Sequence, residues 1–360
     1  MSEQCISQKF ISYDALPDWL AELAKSATVY APQKEGASVV YRPYKAGAAL
    51  ELRERPTESA KHTVFPRSES LFTFKKTGEP ENPSNRATTV AEPAEPGPAV
   101  VFGAPSCDVR GFFAFDPVYN GSGTGGIAKD VYYLKRRSQT TLIARTCKYA
   151  LVTCFCHWVG GGPASAQGAD VHATDVEGGL VLRAMTDMGK TLLETGKLPD
   201  ASAVQATAAD TAIEQAEKSM DDAPDISGAP AALLSLFENA DFWTNQIVGR
   251  CLSCRACTFL CPTCYCFNIT DESNGITGTR LRNWDSCMSA HFTREASGHN
   301  PRNTRADRMR NRVGHKFSYY PNLHDGRFSC CGCGRCIKSC PSSVDIRKIV
   351  LNAIKEASNV

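Results

Sequence analysis

One cysteine spacing occurs twice in this chain, and it constrains the fold more than any other feature. Cys251, Cys254, Cys257 and Cys261 follow C-x2-C-x2-C-x3-C-P, and Cys330, Cys333, Cys336 and Cys340 repeat the pattern sixty-nine residues after Cys261. Three closely spaced thiolates wrap three corners of a [4Fe–4S] cubane, while the proline turns the fourth cysteine toward the other cluster. On that logic one cubane takes Cys251, Cys254, Cys257 and Cys340. A second takes Cys330, Cys333, Cys336 and Cys261. Zinc is the competing reading, but structural zinc uses two separated C-x2-C halves, not three consecutive thiols and a Cys-Pro. Two distant segments must therefore meet. The sequence between them contains helix-like "TREASG" and "TRADRMRNRVGHKF". A mainly α-helical C-terminal dicluster ferredoxin domain is expected, rather than a short β-rich ferredoxin.

Composition favours metal over a disulfide framework. The chain has 17 cysteines in 360 residues, and its amino-terminal stretch lacks a basic start followed by an apolar run. The expected setting is a low-oxygen cytoplasm, where thiols stay reduced. No apolar run is long enough to span a membrane. With a net charge of +2, nothing global points to nucleic acid.

The length suits about two domains. Residues 12–27 carry Leu16, Trp19, Leu20 and Leu23 at helical spacing, and "SVVYRPY" (38–44) reads as a strand. "AVVFGAP" reads as a buried strand turning at Pro105 into a helix. "TLIART", "YALVTCF" and "GLVLRAM" are further strand-like runs. Strands interleaved with helices predict an α/β N-terminal domain over residues 1–200. A loop rich in Pro, Glu and Asn covers 78–98. Residues 201–230 read as a surface helix and linker, and 231–360 as the dicluster domain, opening on one helix, "AALLSLFENADFWTNQIVGR".

Nine cysteines lie outside the two runs. Cys107, Cys147, Cys154 and Cys156 fall at strand ends and turns of the α/β part. They suffice for a third cubane; the competing reading is small buried hydrophobes, which free cysteines often are. Cys264, Cys266 and Cys287 form a further candidate metal set needing one more ligand, with His291, His299, His315 and Cys331 available. Packing or hydrogen bonding to the neighbouring cubanes is the competing reading. Cys5 is expected to be free.

Between Arg280 and Lys316, eight Arg and one Lys face three acids. A solvated helix face, compensation of anionic clusters and docking of a partner subunit all account for such a segment. "GSGTGG" (121–126) lacks the context of a P-loop and reads as a loop. No flavin or nicotinamide fingerprint is present.

Several phrases together resemble the dicluster iron–sulfur family of hydrogenase (sulfhydrogenase) beta subunits and anaerobic sulfite reductase A subunits. They are "KHTVFPRSESLFTF", "VVFGAPSCDVRGF", "DVYYLKRRSQTTLIARTC", "TCFCHWVGGGP", "CPTCYC", "RNWDSCMSAHFTREASGHNPR" and "GHKFS", in order from about residue 61 to 347. The resemblance implies an electron-transfer subunit without its own substrate site. It would have a flavin- and nicotinamide-binding subunit on one side. On the other would be a catalytic or further relay subunit, of hydrogenase, sulfite reductase or heterodisulfide-reductase type. The family's Arg-Pro-Cys-Asp is replaced here by Ala104, Pro105, Ser106, Cys107 and Asp108, and Cys331 is additional to the family pattern. The alternative function is a catalytic reductase subunit with an open metal site at Cys264, Cys266 and Cys287, acting on a disulfide or sulfur compound. A cluster-containing scaffold or sensor is the non-enzymatic alternative.

Replacing Cys257 or Cys336 with Ala is expected to lower the iron content of the reconstituted chain by about four atoms, the content of one cubane. An unchanged iron count in a folded variant would contradict the ligand sets.

Overall fold

The computed structural model describes all residues except 1–4, 79–84, 86, 122–128, 248–249 and 359–360. Most of "GSGTGG" lies outside the described residues. In chain order the strands are β1 (Ser7–Ser12), β2 (Thr28–Glu35), β3 (Ser38–Pro43), β4 (Ser68–Thr77), β5 (Ala87–Ala91), β6 (Ala99–Pro105), β7 (Thr140–Arg145), β8 (Val171–Val176), β9 (Gly179–Ala184), β10 (Phe267–Ser273) and β11 (Thr277–Trp284). The helices are α1 (Leu16–Leu23), α2 (Ser106–Tyr119), α3 (Val131–Ser138), α4 (Asp187–Thr195), α5 (Ala203–Lys218), α6 (Ala229–Ser235), α7 (Ala240–Ile247), α8 (Ala256–Phe259), α9 (Arg305–Gly314), α10 (Tyr320–Leu323), α11 (Arg335–Lys338) and α12 (Ile346–Ala357).

The N-terminal part is built on a seven-stranded sheet of order β1-β9-β8-β7-β6-β2-β3. Its central strands β8, β7, β6 and β2 run parallel, and the flanking pairs are antiparallel. Side chains of β6 alternate between faces, as strand geometry requires. Val100 and Phe102 join a core with Trp19 and Leu20 of α1. Val101 joins Phe112 and Phe115 of α2 on the other face. Pro105 ends β6 and α2 starts at Ser106, matching the strand-to-helix turn read from the sequence.

A second, four-stranded sheet has the order β10-β11-β4-β5. It takes two strands from the first hundred residues and two from between the cysteine runs, so the segments 1–200 and 231–360 share a sheet. Buried Glu69 of β4 accepts from Arg282 Nε of β11 at 2.9 Å, and Asp130 and Arg136 complete the network. The third core packs α6, α7, α9 and α12 around Trp243, Val313, Phe317 and Ile349.

Several elements differ from expectation. Within 201–230 the surface helix read from the sequence is α5, started by a capping box between Ser202 and Gln205, and the linker follows Lys218; the differences lie elsewhere. The single helix expected from residue 231 is broken into α6 and α7, because Asn239 accepts from the Phe242 N–H at 2.9 Å and caps a new start. "YALVTCF" is an irregular loop. Its apolar residues serve separate places: Val152 is 92% exposed while Phe155 is buried in the helical core. "TREASG" closes as a turn, with Glu295 N–H bonded to His299 O at 2.8 Å. The loop expected at 78–98 contains β5, whose exposed residues offer no buried alternation to read.

Replacing Glu69 with Gln should destabilise the chain by roughly 3–5 kcal/mol, since it strands a buried guanidinium. Denaturant unfolding measures this, and a loss below about 1 kcal/mol would show that the network does not tie the sheets together.

Candidate metal centre

Local backbone explains how each run presents its thiols. In the first run Ser253 and Arg255 have φ of +54° and +67°. In the second, Gly332 and Gly334 stand at the matching places with φ of +63° and +71°. Both runs therefore coil through the same left-handed kinks before a short helix, α8 or α11, carrying Cys257 or Cys336. The second run uses glycine because another segment lies against it. A Cβ on Gly332 would sit 2.4 Å from Phe155 O, and one on Gly334 would sit 2.1 Å from Thr153 O. Phe155 N–H bonds Gly332 O at 2.9 Å. In the first run the non-glycine residues Ser253 and Arg255 carry the left-handed strain, on the order of 1 kcal/mol each.

One cavity is lined by Cys251, Cys254, Cys257 and Cys340, and by Cys336. These include all four thiols expected for the first cubane. Cys254 is exposed and Leu252 is 65% exposed, so this site reaches the surface. Cys330, Cys333 and Cys336 lie close enough to Cys261 to feel its charge. Burial pushes the thiol of Cys330 up to about 11 and that of Cys336 up to about 12. Burial thus disfavours the thiolate at these two, a cost that a metal taking the charge would offset.

The topology of the seven-stranded sheet brings the third set together. β6 and β7 are parallel neighbours in which Pro105 pairs with Arg145. Cys107 and Cys147 each follow two residues later, at adjacent C-terminal strand ends, the edge where open α/β sheets place their ligands. The loop after β7 returns Cys154 and Cys156 to the same place. Arg55 joins the set, with Nη1 donating to Cys154 Sγ at 2.9 Å and Nη2 to Cys107 Sγ at 3.1 Å. Burial pushes the Cys156 thiol up to about 12, and the nearby Cys147 and Cys154 add to that.

Buried cations face these sulfurs. Arg308, Arg312 and Lys316 follow at four-residue spacing along one face of α9 and the π turn after it, and all are buried. Stacked like charges are unfavourable unless anions face them. Arg312 has a buried Nε without a partner. Burial opposes its charge, and the sulfurs of Cys257 and Cys336 outweigh that, leaving it firmly cationic. Lys316 donates to Thr263 Oγ1 at 2.8 Å, and its charge survives burial because of Cys261, Cys264 and Cys330. Lys61 donates to Cys264 O at 2.9 Å and lies over the Trp284 ring. The basic segment is thus only partly a solvated face: its inner side compensates sulfur.

Cys264 sits against Cys261, and Cys266 against Cys287. The Cys287 contact lowers the Cys266 thiol to about 7. The candidate fourth ligands are directed elsewhere. His315 Nε2 meets Tyr265 Oη at 2.8 Å, Cys331 packs with Cys107 and Cys333, and His291 and His299 are exposed. Among the described residues no three metal-ligating side chains converge on one ion. Cys5 is exposed.

A buried bidentate pair links the third set to the second. Arg335, beside Cys336, binds Asp108, beside Cys107, through both carboxylate oxygens, one at 2.8 Å. Its other donors reach Pro56 O at 3.1 and 3.0 Å. Sequence reasoning did not find Arg55, Lys61 or this pair. The only signal read was the basic character of the segment from Arg280 to Lys316.

Comparison with known proteins agrees with the resemblance read from the sequence. Residues 250–344 match the profile of the 4Fe-4S dicluster domain family. Over 348 residues the chain is 27% identical to sulfhydrogenase 2 subunit beta of Pyrococcus furiosus, covering 94% of this chain and 96% of that protein. Among the described residues, no helix is long and apolar enough to cross a membrane.

A double-mutant cycle on Asp108→Asn and Arg335→Met should give a coupling of about 2 kcal/mol or more in unfolding experiments, as for contacting buried groups. Additive effects would mean that the pair does not act as a unit.

Proposed function

We propose that this chain, with its 4Fe-4S dicluster domain and end-to-end likeness to a sulfhydrogenase beta subunit, is an iron–sulfur electron-transfer subunit of a cytoplasmic multi-subunit oxidoreductase complex. The first cubane takes Cys251, Cys254, Cys257 and Cys340, and the second Cys330, Cys333, Cys336 and Cys261. Cys107, Cys147, Cys154 and Cys156 hold a third. The helix-containing segment 231–360 acts as the dicluster ferredoxin domain, set on the sheet of residues 1–200. It has two partners: a flavin- and nicotinamide-binding subunit, plus a catalytic or further relay subunit.

The observation that carries this reading is the continuity of the three thiol sets. The loop of Cys154 and Cys156 touches the second run at Gly332 and Gly334, and Cys257 of the first set, Arg312 and Cys336 of the second line one cavity. A [4Fe–4S] cubane supplies reversible one-electron storage at a potential set by its surroundings. The residues do the rest. Arg312, Lys316 and Arg55 offset the sulfur charge, and the packed backbone keeps the sets adjacent. Solvent reaches the array at Cys254 and beside Cys147, which lines a cavity of about 240 Å³ with Arg55 and Arg145. A relay needs two such accessible ends. Cys264, Cys266 and Cys287 are best read as neighbours that pack and hydrogen-bond beside the array.

Anaerobic purification of the native protein should yield the chain together with a flavin-containing subunit. The isolated, reconstituted chain should accept electrons from dithionite and pass them to an artificial acceptor, without reducing disulfides catalytically. A fully active monomer that turns over a disulfide would establish the reductase reading instead.

A further inference from the structure

We propose that Arg55 sets the potential of the cluster held by Cys107, Cys147, Cys154 and Cys156, making that cluster easier to reduce; this rests on the reading of those four cysteines as cubane ligands. Arg55 is the only described side chain whose two donors reach two different sulfurs of the array, at 2.9 Å for Cys154 and 3.1 Å for Cys107. No carboxylate lies within ion-pairing distance of it among the described residues, and its Nε is buried without a partner. The guanidinium is therefore committed to sulfur.

Its position is fixed from behind. Arg335 donates to the carbonyl oxygen of Pro56, the next residue, and to Glu58 O at 3.3 Å. Arg335 is itself clamped on Asp108, beside Cys107. The donor and one of its sulfur acceptors thus hang on the same buried ion pair, which holds their separation constant.

The direction of the effect follows from charge. Reduction adds one electron to the cluster, moves no proton and breaks no bond, so the cluster and its ligands gain one negative charge. A fixed cation hydrogen-bonded to two ligand sulfurs stabilises that reduced form more than the oxidised one. The potential rises accordingly. Arg312 acts on the first and second sets through charge alone, with no hydrogen bond to their sulfurs among the described contacts.

The test uses the full chain, reconstituted anaerobically and titrated with dithionite while the reduced clusters are followed by magnetic resonance. In Arg55→Gln one cluster should become at least tenfold harder to reduce, about 59 mV for a one-electron couple. The second cluster, whose Cys333 also faces Arg55, should show a smaller shift in the same direction, with the first cluster unmoved and the iron content unchanged. Arg55→Lys, which keeps the charge and one donor, should recover part of the shift. Unchanged potentials in an iron-replete Arg55→Gln variant would overturn the proposal. Loss of the cluster in both variants would do so too, because Arg55 would then be needed only for assembly. Cys154→Ala separates the two ideas. If it removes about four irons, the ligand reading stands whatever Arg55 does; if it removes none, there is no third cluster and both readings fall.

Discussion

The buried pair of Asp108 and Arg335 is the constraint on which the cysteine array depends. Asp108 follows Cys107 at the start of a helix that leaves the sheet, and Arg335 precedes Cys336 in the second run. A carboxylate and a guanidinium this deeply buried are costly to separate, because each would be left charged and unpaired. Their bidentate geometry fixes orientation as well as distance. The rest of the second run follows: its glycines lie on the backbone of residues 153–156, and Arg335 also holds the strand-linking segment that carries Arg55.

Around this clamp the molecule is organised by charge compensation. Arg312, Lys316 and Arg55 are cations directed at sulfur, and Lys61, whose charge burial opposes, donates to backbone beside it. In a thiol-only interior they would be isolated buried charges, a costly arrangement. Anionic clusters with thiolate ligands reverse that cost. The helix α9 enters the core through Met309 and Val313, and of its buried cations Arg308 donates to the carbonyls of Arg302 and Asn303 while Arg312 faces the cysteines.

Much of the array was legible in the sequence because covalent spacing is local information. The two runs fold on matched left-handed kinks, and β6 turns into α2 at Pro105 as the apolar run followed by Pro-Ser-Cys-Asp implies. What was hidden is long-range. The exposed strand β5 has no buried face to mark it, and the hairpin β10–β11 lies in a domain expected to be mainly helical, at residues for which no element was read. Its register with β4 depends on the Glu69–Arg282 network rather than on an apolar pattern. Arg55 and Lys61 lie in a segment without periodicity, so nothing in their neighbourhood points to sulfur. Asp108 was noticed only as part of a phrase, and its partner stands 227 residues away.

The central claim is that three sets of thiols, not two, hold clusters in one continuous array. The most direct measurement is the iron and acid-labile sulfide content of the anaerobically reconstituted full chain. Three cubanes predict about twelve of each per chain. A saturating content of about eight, with Cys107, Cys147, Cys154 and Cys156 still free to react with a thiol reagent, would contradict the account.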